Sequence, residues 1–388
     1  MSTGRRLGVI GAGPIGIAAA LGASQLGWDV TVLEQGAIGD SVRRWGPTKF
    51  FSPLSMNLPP GASAILGPHL PGEDALLTGP EFVDAVLLPL ANSEALAGKI
   101  KLGNRVVAIG RSGLKKDDWI RHPIRAECTF RVLADTPRGE QTFEFEAIID
   151  ASGTYGQPVS LGAGGPARGE RAVASRLIRN LGALHEQRTD LAGKTVLLIG
   201  HGHSAATAIL RLAQLETRVV WCTRSIHRRP CVEVAADPLP ERQRVVFEAN
   251  QLAMNPPAWL QVERRATLEA MTPLEAGKLR VHFTGGREFL VDHVIGLTGY
   301  RPDLSTVSEL ALTIDPATEG SAGLARALSN LTDCLSIPLA TGEDLASGEP
   351  GFYLAGAKSY GRARTFLLQS GYAQLETILK RLAGDSAA

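Results

Sequence analysis

The sequence lacks the features that mark several classes of protein. Its cysteines are scattered, without a C-x-x-C pair or a metal-ligand spacing: Cys128, Cys222, Cys231 and Cys334. We therefore expect no metal site, no structural disulfide and a reducing, cytoplasmic location. The formal net charge of +1 gives no electrostatic basis for binding nucleic acid or an anionic membrane. No apolar run approaches the ~20 residues of a membrane span, and a signal peptide is not predicted.

Glycine is abundant, with 43 of 388 residues, or about 11% against a usual ~7%. The first glycine-rich stretch predicts a strand over Leu7–Ile10, a turn, a helix over Pro14–Leu26 and a strand over Val30–Leu33. Gly11, Gly13 and Gly16 have the G-x-G-x-x-G spacing, which allows a tight turn, a close approach of pyrophosphate and close packing of helix on strand. Glu34 follows the second strand, where a carboxylate can bind a ribose 2′-OH. The stretch predicts a dinucleotide site.

The same pattern returns 189 residues later, between Thr195 and Cys222. Here Gly200 and Gly202 form the turn, and Ala205 takes the place of the third glycine. A repeated βαβ unit predicts a second dinucleotide site. The position equivalent to Glu34 is Thr223, and arginines follow it: Arg224, Arg228 and Arg229. Loss of the acid and gain of guanidinium groups favour a 2′-phosphate, so this site should prefer NADPH.

Other segments suit such a fold. A loop rich in Gly, Pro and Ser follows Glu34, and its basic and aromatic residues, including Arg44 and Trp45, could line a cofactor or form an ordered surface crossover. Helical character is predicted over 79–90, a strand over 99–109 and a small antiparallel meander over 126–134 and 141–149. Buried strands ending in small-residue turns are predicted within 147–158 and 292–303. A strand over 352–355 and a helix over about 366–382 complete the chain.

Taken together, both fingerprints, ASG at 151–153, LTGYRPD at 297–303 and LAGAKSYGR near the carboxyl end resemble the flavoproteins with two dinucleotide-binding domains. That superfamily includes thioredoxin reductase-like enzymes and flavin-containing (class B) monooxygenases. The resemblance implies an α/β fold of two Rossmann-like, three-layer ββα domains. The NADPH domain (161–294) would be inserted into an FAD domain made of 1–160 and 295–388.

The resemblance also implies which residues contact the cofactors. FAD would lie on the first fingerprint and NADPH on the second, with the closing strand and helix at the flavin end. The implied contacts are Gly11, Gly13, Pro14, Ile15, Gly16, Glu34, Gln35, Arg44, Trp45, Ser52, Val106, Val107, Ala151, Ser152, Gly153, Gly200, Gly202, His203, Ser204, Ala205, Arg224, Arg228, Arg229, Thr298, Gly299, Gly356, Lys358, Thr365 and Phe366.

Four features bear on the reaction type. Neither nucleotide region carries the cysteine pair of the disulfide reductases, and RRW…FFSP at 43–53 is similar to a stretch of the monooxygenases. The full monooxygenase fingerprint before the second unit is absent, and LGALHE at 181–186 only partly matches it. The Gly-Asp of reductases, whose Asp binds the ribityl chain, is here Gly356-Ala357, and Lys358, Ser359 or Tyr360 could supply a replacement donor.

The favoured function is an NADPH-dependent flavin monooxygenase that oxygenates a small organic substrate with O2, through a flavin C4a-(hydro)peroxide. Because the flavin supplies the chemistry, no catalytic side chain is assigned, although Trp45, Lys358 and Tyr360 are candidates. One alternative is a cysteine-independent flavin reductase or oxidase that passes electrons to a quinone, a partner protein or O2. Another is a flavin-bound redox sensor. We also expect a possible homodimer and no nucleic-acid or membrane partner.

Overall fold

The computed structural model describes residues 5–329, 343–363 and 365–384. Residue contacts divide the chain into two compact units. Unit 1 comprises Met1–Arg43, Pro53–Gln157 and Tyr300–Ala388, and unit 2 comprises Arg44–Ser52 and Pro158–Gly299. Among the described residues, none of the helices is both long and apolar enough to span a membrane.

Unit 1 is built on a parallel sheet of five strands in the order β16-β7-β1-β2-β3. With strands and helices numbered in chain order, these are β1 (Arg6–Ile10), β2 (Asp29–Glu34), β3 (Ile100–Leu102), β7 (Ala147–Asp150) and β16 (Phe352–Leu354). The central strand β1 pairs in parallel with β2 and β7. An antiparallel meander adds β4 (Arg105–Arg111), β5 (Phe130–Thr136) and β6 (Gly139–Phe145).

The main helices of unit 1 are α1 (Pro14–Gln25) and the long α14 (Leu368–Gly384). Helix α1 starts with proline at its first position, where the missing N–H costs nothing. A Cβ on Gly22 would come within 2.4 Å of Leu379, which shows how closely α1 packs on α14. The shorter helices are α2 (Asp40–Arg43), α3 (Leu54–Asn57), α4 (Ala62–Leu66), α5 (Gly79–Phe82), α6 (Leu88–Ala91), α7 (Ile124–Glu127), α12 (Ala322–Leu328) and α13 (Ala357–Tyr360).

Unit 2 repeats the plan with a second parallel sheet of five strands, in the order β11-β10-β9-β15-β8. These are β8 (Leu177–Ile178), β9 (Thr195–Ile199), β10 (Arg218–Cys222), β11 (Leu260–Glu263) and β15 (His293–Gly296). A meander contains β12 (Leu268–Pro273), β13 (Leu279–Phe283) and β14 (Arg287–Val291). The helices are α8 (Leu181–Glu186), α9 (Arg188–Leu191), α10 (His203–Leu212) and α11 (Pro240–Met254).

The predicted α/β class with two Rossmann-like units is confirmed, but three predicted strands are wrong in extent. The strand expected over 126–134 is β5, Phe130–Thr136, because the residues before it form the short helix α7. The strand expected over 99–109 is divided between β3 and β4, because Gly103 takes φ +70° and breaks the extended backbone. The strand expected over 141–149 is divided between β6 and β7. At this break the N–H of Arg6 donates to the carboxylate of Glu146 at 2.7 Å, and the N–H of Glu146 donates to the carbonyl of Arg6 at 2.9 Å.

The helix predicted over 79–90 extends over 79–91, although its middle turn, Val83–Leu87, is π-helical. Thr78 caps the start: its hydroxyl accepts from the N–H of Glu81, and the Glu81 carboxylate accepts from the N–H of Thr78. This reciprocal capping box satisfies two N–H groups that the helix leaves without partners. The last helix runs over 368–384 instead of about 366–382.

Candidate functional site

The three glycines in the turn of unit 1 have different structural roles. Gly11 adopts φ +96°, a backbone angle that favours glycine, and its N–H donates to the carbonyl of Leu33 at 2.8 Å. A Cβ on Gly16 would come within 1.9 Å of the carbonyl oxygen of Gly11, so this position needs glycine for packing. Gly13 has an ordinary φ of −81°, and apart from its chain neighbours no described residue comes within 4 Å of where its Cβ would be. The protein's own packing therefore does not explain glycine at position 13.

The space beside Gly13 lies at the amino end of α1. Gly13 is the N-cap, no described side chain caps the helix, and Pro14 and Ile15 begin it. An uncapped helix amino end with room for a ligand suits a pyrophosphate by hydrogen bonding and by the helix dipole. This edge of unit 1 thus fits the diphosphate of a dinucleotide.

Glu34 ends β2 beside the same turn. Its carboxylate accepts hydrogen bonds from the N–H of Ala12 and the N–H of Gly36, each at 2.7 Å. A carboxylate offers about four acceptor positions, so acceptor capacity is left for a ribose hydroxyl. Gln35, the next residue, is exposed.

The ends of β1, β7 and β16 meet at this edge. A Cβ on Gly11 would lie 3.0 Å from the carbonyl oxygen of Ala151, which follows β7. Lys358, 2% exposed, donates from Nζ to the Asp150 carboxylate at 2.7 Å and to the Ser152 hydroxyl at 3.0 Å. A buried ion pair therefore ties the turn after β7, including Gly153 at φ +71°, to the turn after β16.

Further predicted contacts lie around the turn after β16. Gly356 adopts φ +65°, and its Cβ would meet the side chain of Ile15 at 2.8 Å. Tyr360 is buried, and its ring meets that of Phe366 edge-on at 5.3 Å. The hydroxyl of Thr365 is buried without a hydrogen-bond partner among the described residues, so it could hydrogen-bond a bound ligand.

Val106 and Val107 lie in the meander of unit 1, on β4. The pairing of β4 with β5 shifts between Val106 and Ala108, so Val107 is the extra residue of a bulge and is 36% exposed. Bulges often lie next to binding sites because they redirect a side chain. The structure gives no further contact that assigns these valines to a cofactor.

The glycine turn of unit 2 repeats the pattern of unit 1. Gly200 adopts φ +135°, and its Cβ would come within 2.4 Å of the carbonyl oxygen of Leu297. Gly202 is the N-cap of α10 with φ −85°, and apart from its chain neighbours no described residue comes within 4 Å of its Cβ position. Ala205, in place of the third glycine, is fully buried, while His203 and Ser204 begin the helix. This second edge fits a second diphosphate.

A cavity of about 510 Å³ lies beside the turn, at the end of β10. It is lined by His201, Arg224, Ser225, His227, Arg229, Pro230, Cys231, Val232 and Glu233. Arg224 and Arg229, two of the predicted phosphate ligands, therefore face one cavity. Arg228 is exposed and is not among the lining residues; its carbonyl accepts a hydrogen bond from Arg264 at 3.1 Å.

The segment containing Arg44, Trp45 and Ser52 belongs to unit 2. Arg44 is exposed, Ser52 is buried, and the half-buried Trp45 packs against Phe50 with ring centroids 4.8 Å apart and ring planes tilted by 46°. After β15, the Thr298 hydroxyl donates to the carbonyl of Val159 at 2.6 Å, and the carbonyl of Gly299 accepts from the N–H of Val159 at 2.9 Å. These contacts stabilise the segment and the turn within unit 2.

Cys128, Cys222 and Cys231 are free thiols, and Cys334 lies outside the described residues. Burial raises the pKa of Cys222, and it raises the pKa of Cys231 to about 12 with a further contribution from the Glu233 carboxylate. Both groups are therefore neutral thiols near pH 7, unlike a reactive thiolate.

Sequence reasoning missed several residues that shape these edges. Asp150 carried a usable signal, since an acid at the end of an apolar strand requires a partner once it is buried. Two other residues carried no such signal, because they lie in and beyond an irregular loop. They are Glu233 and the fully buried Asn250, whose side-chain amide donates to the Glu233 carboxylate at 2.8 Å.

Comparisons with known proteins bear on the fold and the first turn. The family model described as pyridine nucleotide-disulphide oxidoreductase matches residues 9–60. The curated proteins include no match to this chain. Bacillithiol disulfide reductase from Bacillus cereus is a similar solved structure, with a TM-score of 0.73 and 18% identity over 99% of this chain and 100% of that one.

A hydroxylase and a flavin monooxygenase are similar to a comparable degree. The ornithine N-hydroxylase of Kutzneria sp. 744, solved with reduced FAD, NADP+ and L-ornithine, has a TM-score of 0.67 and 15% identity, covering 99% of this chain and 100% of that one. A mutant flavin monooxygenase from Stenotrophomonas maltophilia has a TM-score of 0.66 and 18% identity over the same shares. At these identities the likeness establishes the fold. The chain therefore has the fold of the flavoproteins with two dinucleotide-binding domains, the superfamily that contains both disulfide reductases and flavin monooxygenases.

Proposed function

We propose that the chain is an FAD- and NADPH-dependent oxidoreductase that acts without a cysteine pair, and that it is a monooxygenase of a small organic substrate. The observation that carries the proposal is the open space beside Gly13 and Gly202, each at the uncapped amino end of a helix. Neither glycine is required by its own backbone angle, so each leaves room for a ligand.

FAD would be held at the edge of unit 1. The amides at the start of α1 would bind its diphosphate, and Glu34 would accept from a ribose hydroxyl. The buried Lys358–Asp150 pair would hold the turns after β7 and β16 in place. When bound, FAD supplies the redox chemistry with NADPH and O2.

NADPH would be held at the edge of unit 2. The amides at the start of α10 would bind its diphosphate, and Arg224 and Arg229 would bind its 2′-phosphate in the cavity at the end of β10. Thr223, which stands where a carboxylate would favour NADH, presents no charge that would repel the phosphate.

The monooxygenase assignment rests on the thiols and on the similar structures. A dithiol reductase needs two cysteines whose Cα atoms come within ~7 Å and a reactive thiolate, whereas Cys222 and Cys231 are buried, neutral thiols. The similar structures include a hydroxylase with reduced FAD and NADP+. A cysteine-independent reductase or oxidase remains the second candidate, favoured by the likeness to a disulfide reductase.

Steady-state NADPH oxidation with peroxide detection distinguishes the candidates. A monooxygenase should oxidise NADPH faster when its substrate is added, so sulfides, amines and ketones should be screened. An oxidase should form peroxide at full rate without any of them, and that result would contradict the monooxygenase assignment.

The coenzyme assignment is tested by Arg224→Ala. Loss of a charge-assisted hydrogen bond costs about 1.5–3 kcal/mol, so the KM for NADPH should rise roughly tenfold to over a hundredfold while that for NADH stays almost unchanged. Arg218→Ala is the matched control, because Arg218 is an exposed arginine at the opposite end of the same strand. Equal effects of Arg224→Ala on both coenzymes would contradict a 2′-phosphate contact.

A further inference from the structure

The loop between β10 and α11 is unusually long and well anchored. Its 17 residues, 223–239, exceed the usual 2–6 of such connections and provide most of the wall of the cavity. Arg264 anchors the first half, donating to the carbonyls of His227 and Arg228 at 3.1 Å each. These hydrogen bonds hold the first half of the loop, and with it this side of the cavity, in a defined conformation.

Asn250 anchors the second half of the loop from α11. It is fully buried, and its side-chain oxygen accepts from the N–H of Cys231 at 3.0 Å. Its amide nitrogen donates to the carbonyl of Cys231 at 3.0 Å and to the Glu233 carboxylate at 2.8 Å. Asn250 therefore fixes both the backbone of the loop and the orientation of one acid.

That acid is paired within the wall of the cavity. The second oxygen of Glu233 lies 3.1 Å from the guanidinium of Arg229, with 39% and 52% of the two side chains exposed. A phosphate that binds Arg229 must share its guanidinium with the Glu233 carboxylate. Because both groups are negatively charged, they repel each other. A ribose hydroxyl, in contrast, can donate a hydrogen bond to the same carboxylate.

We propose that Glu233, held by Asn250, limits the preference of this site for NADPH over NADH. The cavity contains both determinants: guanidinium groups that favour a 2′-phosphate and one carboxylate that opposes it and accepts a 2′-hydroxyl. The inference rests on the proposed coenzyme site and assigns Glu233 as its negative determinant. Coenzyme selectivity is therefore moderate, and removing the acid raises it.

The test measures the affinities of the full-length protein for 2′,5′-ADP and for ADP by calorimetric titration. The two ligands differ at the 2′ position, and both lack nicotinamide. Glu233→Gln keeps the size of the side chain and removes its charge. Removing one like charge near the protein surface should tighten 2′,5′-ADP binding about fivefold. ADP binding should stay the same or weaken, so the ratio of the two affinities should rise.

Glu248→Gln is the matched control, because Glu248 also pairs with an arginine four residues away on the chain, at similar exposure, and is not among the residues lining the cavity. It should leave the ratio unchanged. Arg229→Gln should move the ratio the opposite way, by tenfold or more in favour of ADP. Both cavity variants change partly exposed side chains, and thermal unfolding verifies that each is folded.

The outcomes are distinguishable. If Glu233→Gln weakens both ligands equally, or leaves the ratio unchanged while Arg224→Ala still weakens 2′,5′-ADP, Glu233 is only a support for the loop and the inference is wrong. If the wild-type protein binds neither nucleotide, the proposed coenzyme site fails and the inference fails with it.

Discussion

Substituting the middle glycine of the first turn should weaken FAD binding, and with a large side chain abolish it, without harming the fold. Gly13 has φ −81°, an angle that any residue adopts, and apart from its chain neighbours no described residue comes within 4 Å of its Cβ position. Replacing glycine by alanine at a compatible position stabilises a protein by about 0.4–1 kcal/mol, because the unfolded chain loses freedom, but at a helix N-cap alanine is less favourable than glycine by a similar amount. The two effects offset each other at Gly13, the N-cap of α1, so the flavin-free Gly13→Ala protein should be about as stable as the flavin-free wild type.

Binding should respond in the opposite direction. A phosphate oxygen must come within about 2.9 Å of a backbone N–H to accept its hydrogen bond, and a Cβ at position 13 occupies that approach. Each charge-assisted hydrogen bond that is lost costs about 1.5–3 kcal/mol, so the Kd for FAD should rise at least about tenfold. Gly13→Val, with a larger side chain, should yield colourless protein.

The assay combines flavin absorbance per protein with thermal unfolding of the flavin-free protein. Gly16→Ala is the matched control in the same turn, because its Cβ would come within 1.9 Å of the carbonyl oxygen of Gly11. Such overpacking costs about 1–3 kcal/mol, so this variant should lose stability even without flavin. A fully yellow Gly13→Val protein, or a flavin-free Gly13→Ala protein as unstable as Gly16→Ala, would refute the reasoning.

The two glycine turns were predictable from the sequence because their determinants are local. A buried strand, a glycine that takes positive φ, a helix start and a small residue for packing all lie within a few positions of one another. The predicted starts of β1 and α1 agree with the structure to within one residue. The difference between the two repeats at the end of the second strand was visible for the same reason. Glu34 in the first repeat and Thr223 in the second, followed by Arg224, lie at the same distance in sequence from the first glycine of their turn.

Features that depend on distant partners were not predictable. The strand over 99–109 looked continuous, and only its pairing with two different sheets shows that Gly103 divides it. Lys358 was predicted as a donor for a cofactor, and its pairing with Asp150, 208 positions earlier in the chain, could not be seen from the local sequence. Glu233 lies in a loop without periodicity, so its place in a cavity depends on anchors from Asn250.

Three further predictions concern the thiols and the buried charges. A variant with all four cysteines replaced by alanine should keep most of its NADPH oxidation; retained flavin with abolished turnover would instead indicate a dithiol enzyme. Lys358→Met should cost about 3–5 kcal/mol, because it leaves the Asp150 carboxylate buried without its cation, and adding Asp150→Asn should recover most of the loss in urea unfolding. Glu349, fully buried, pairs with Arg111 and Arg125 at 2.9 Å each. Burial alone would raise its pKa, but the hydrogen bonds from the arginines outweigh burial and lower it from the usual 4.5. A carboxylate with a lowered pKa stabilises the fold above the pKa of the unfolded chain and loses this contribution as the pH falls through the folded value. Glu349→Gln should therefore cost about 3–5 kcal/mol near pH 7, and urea titrations should show the difference from wild type shrinking below pH 4.5. A difference that stayed constant across this range would mean that the charge of Glu349 contributes nothing to stability.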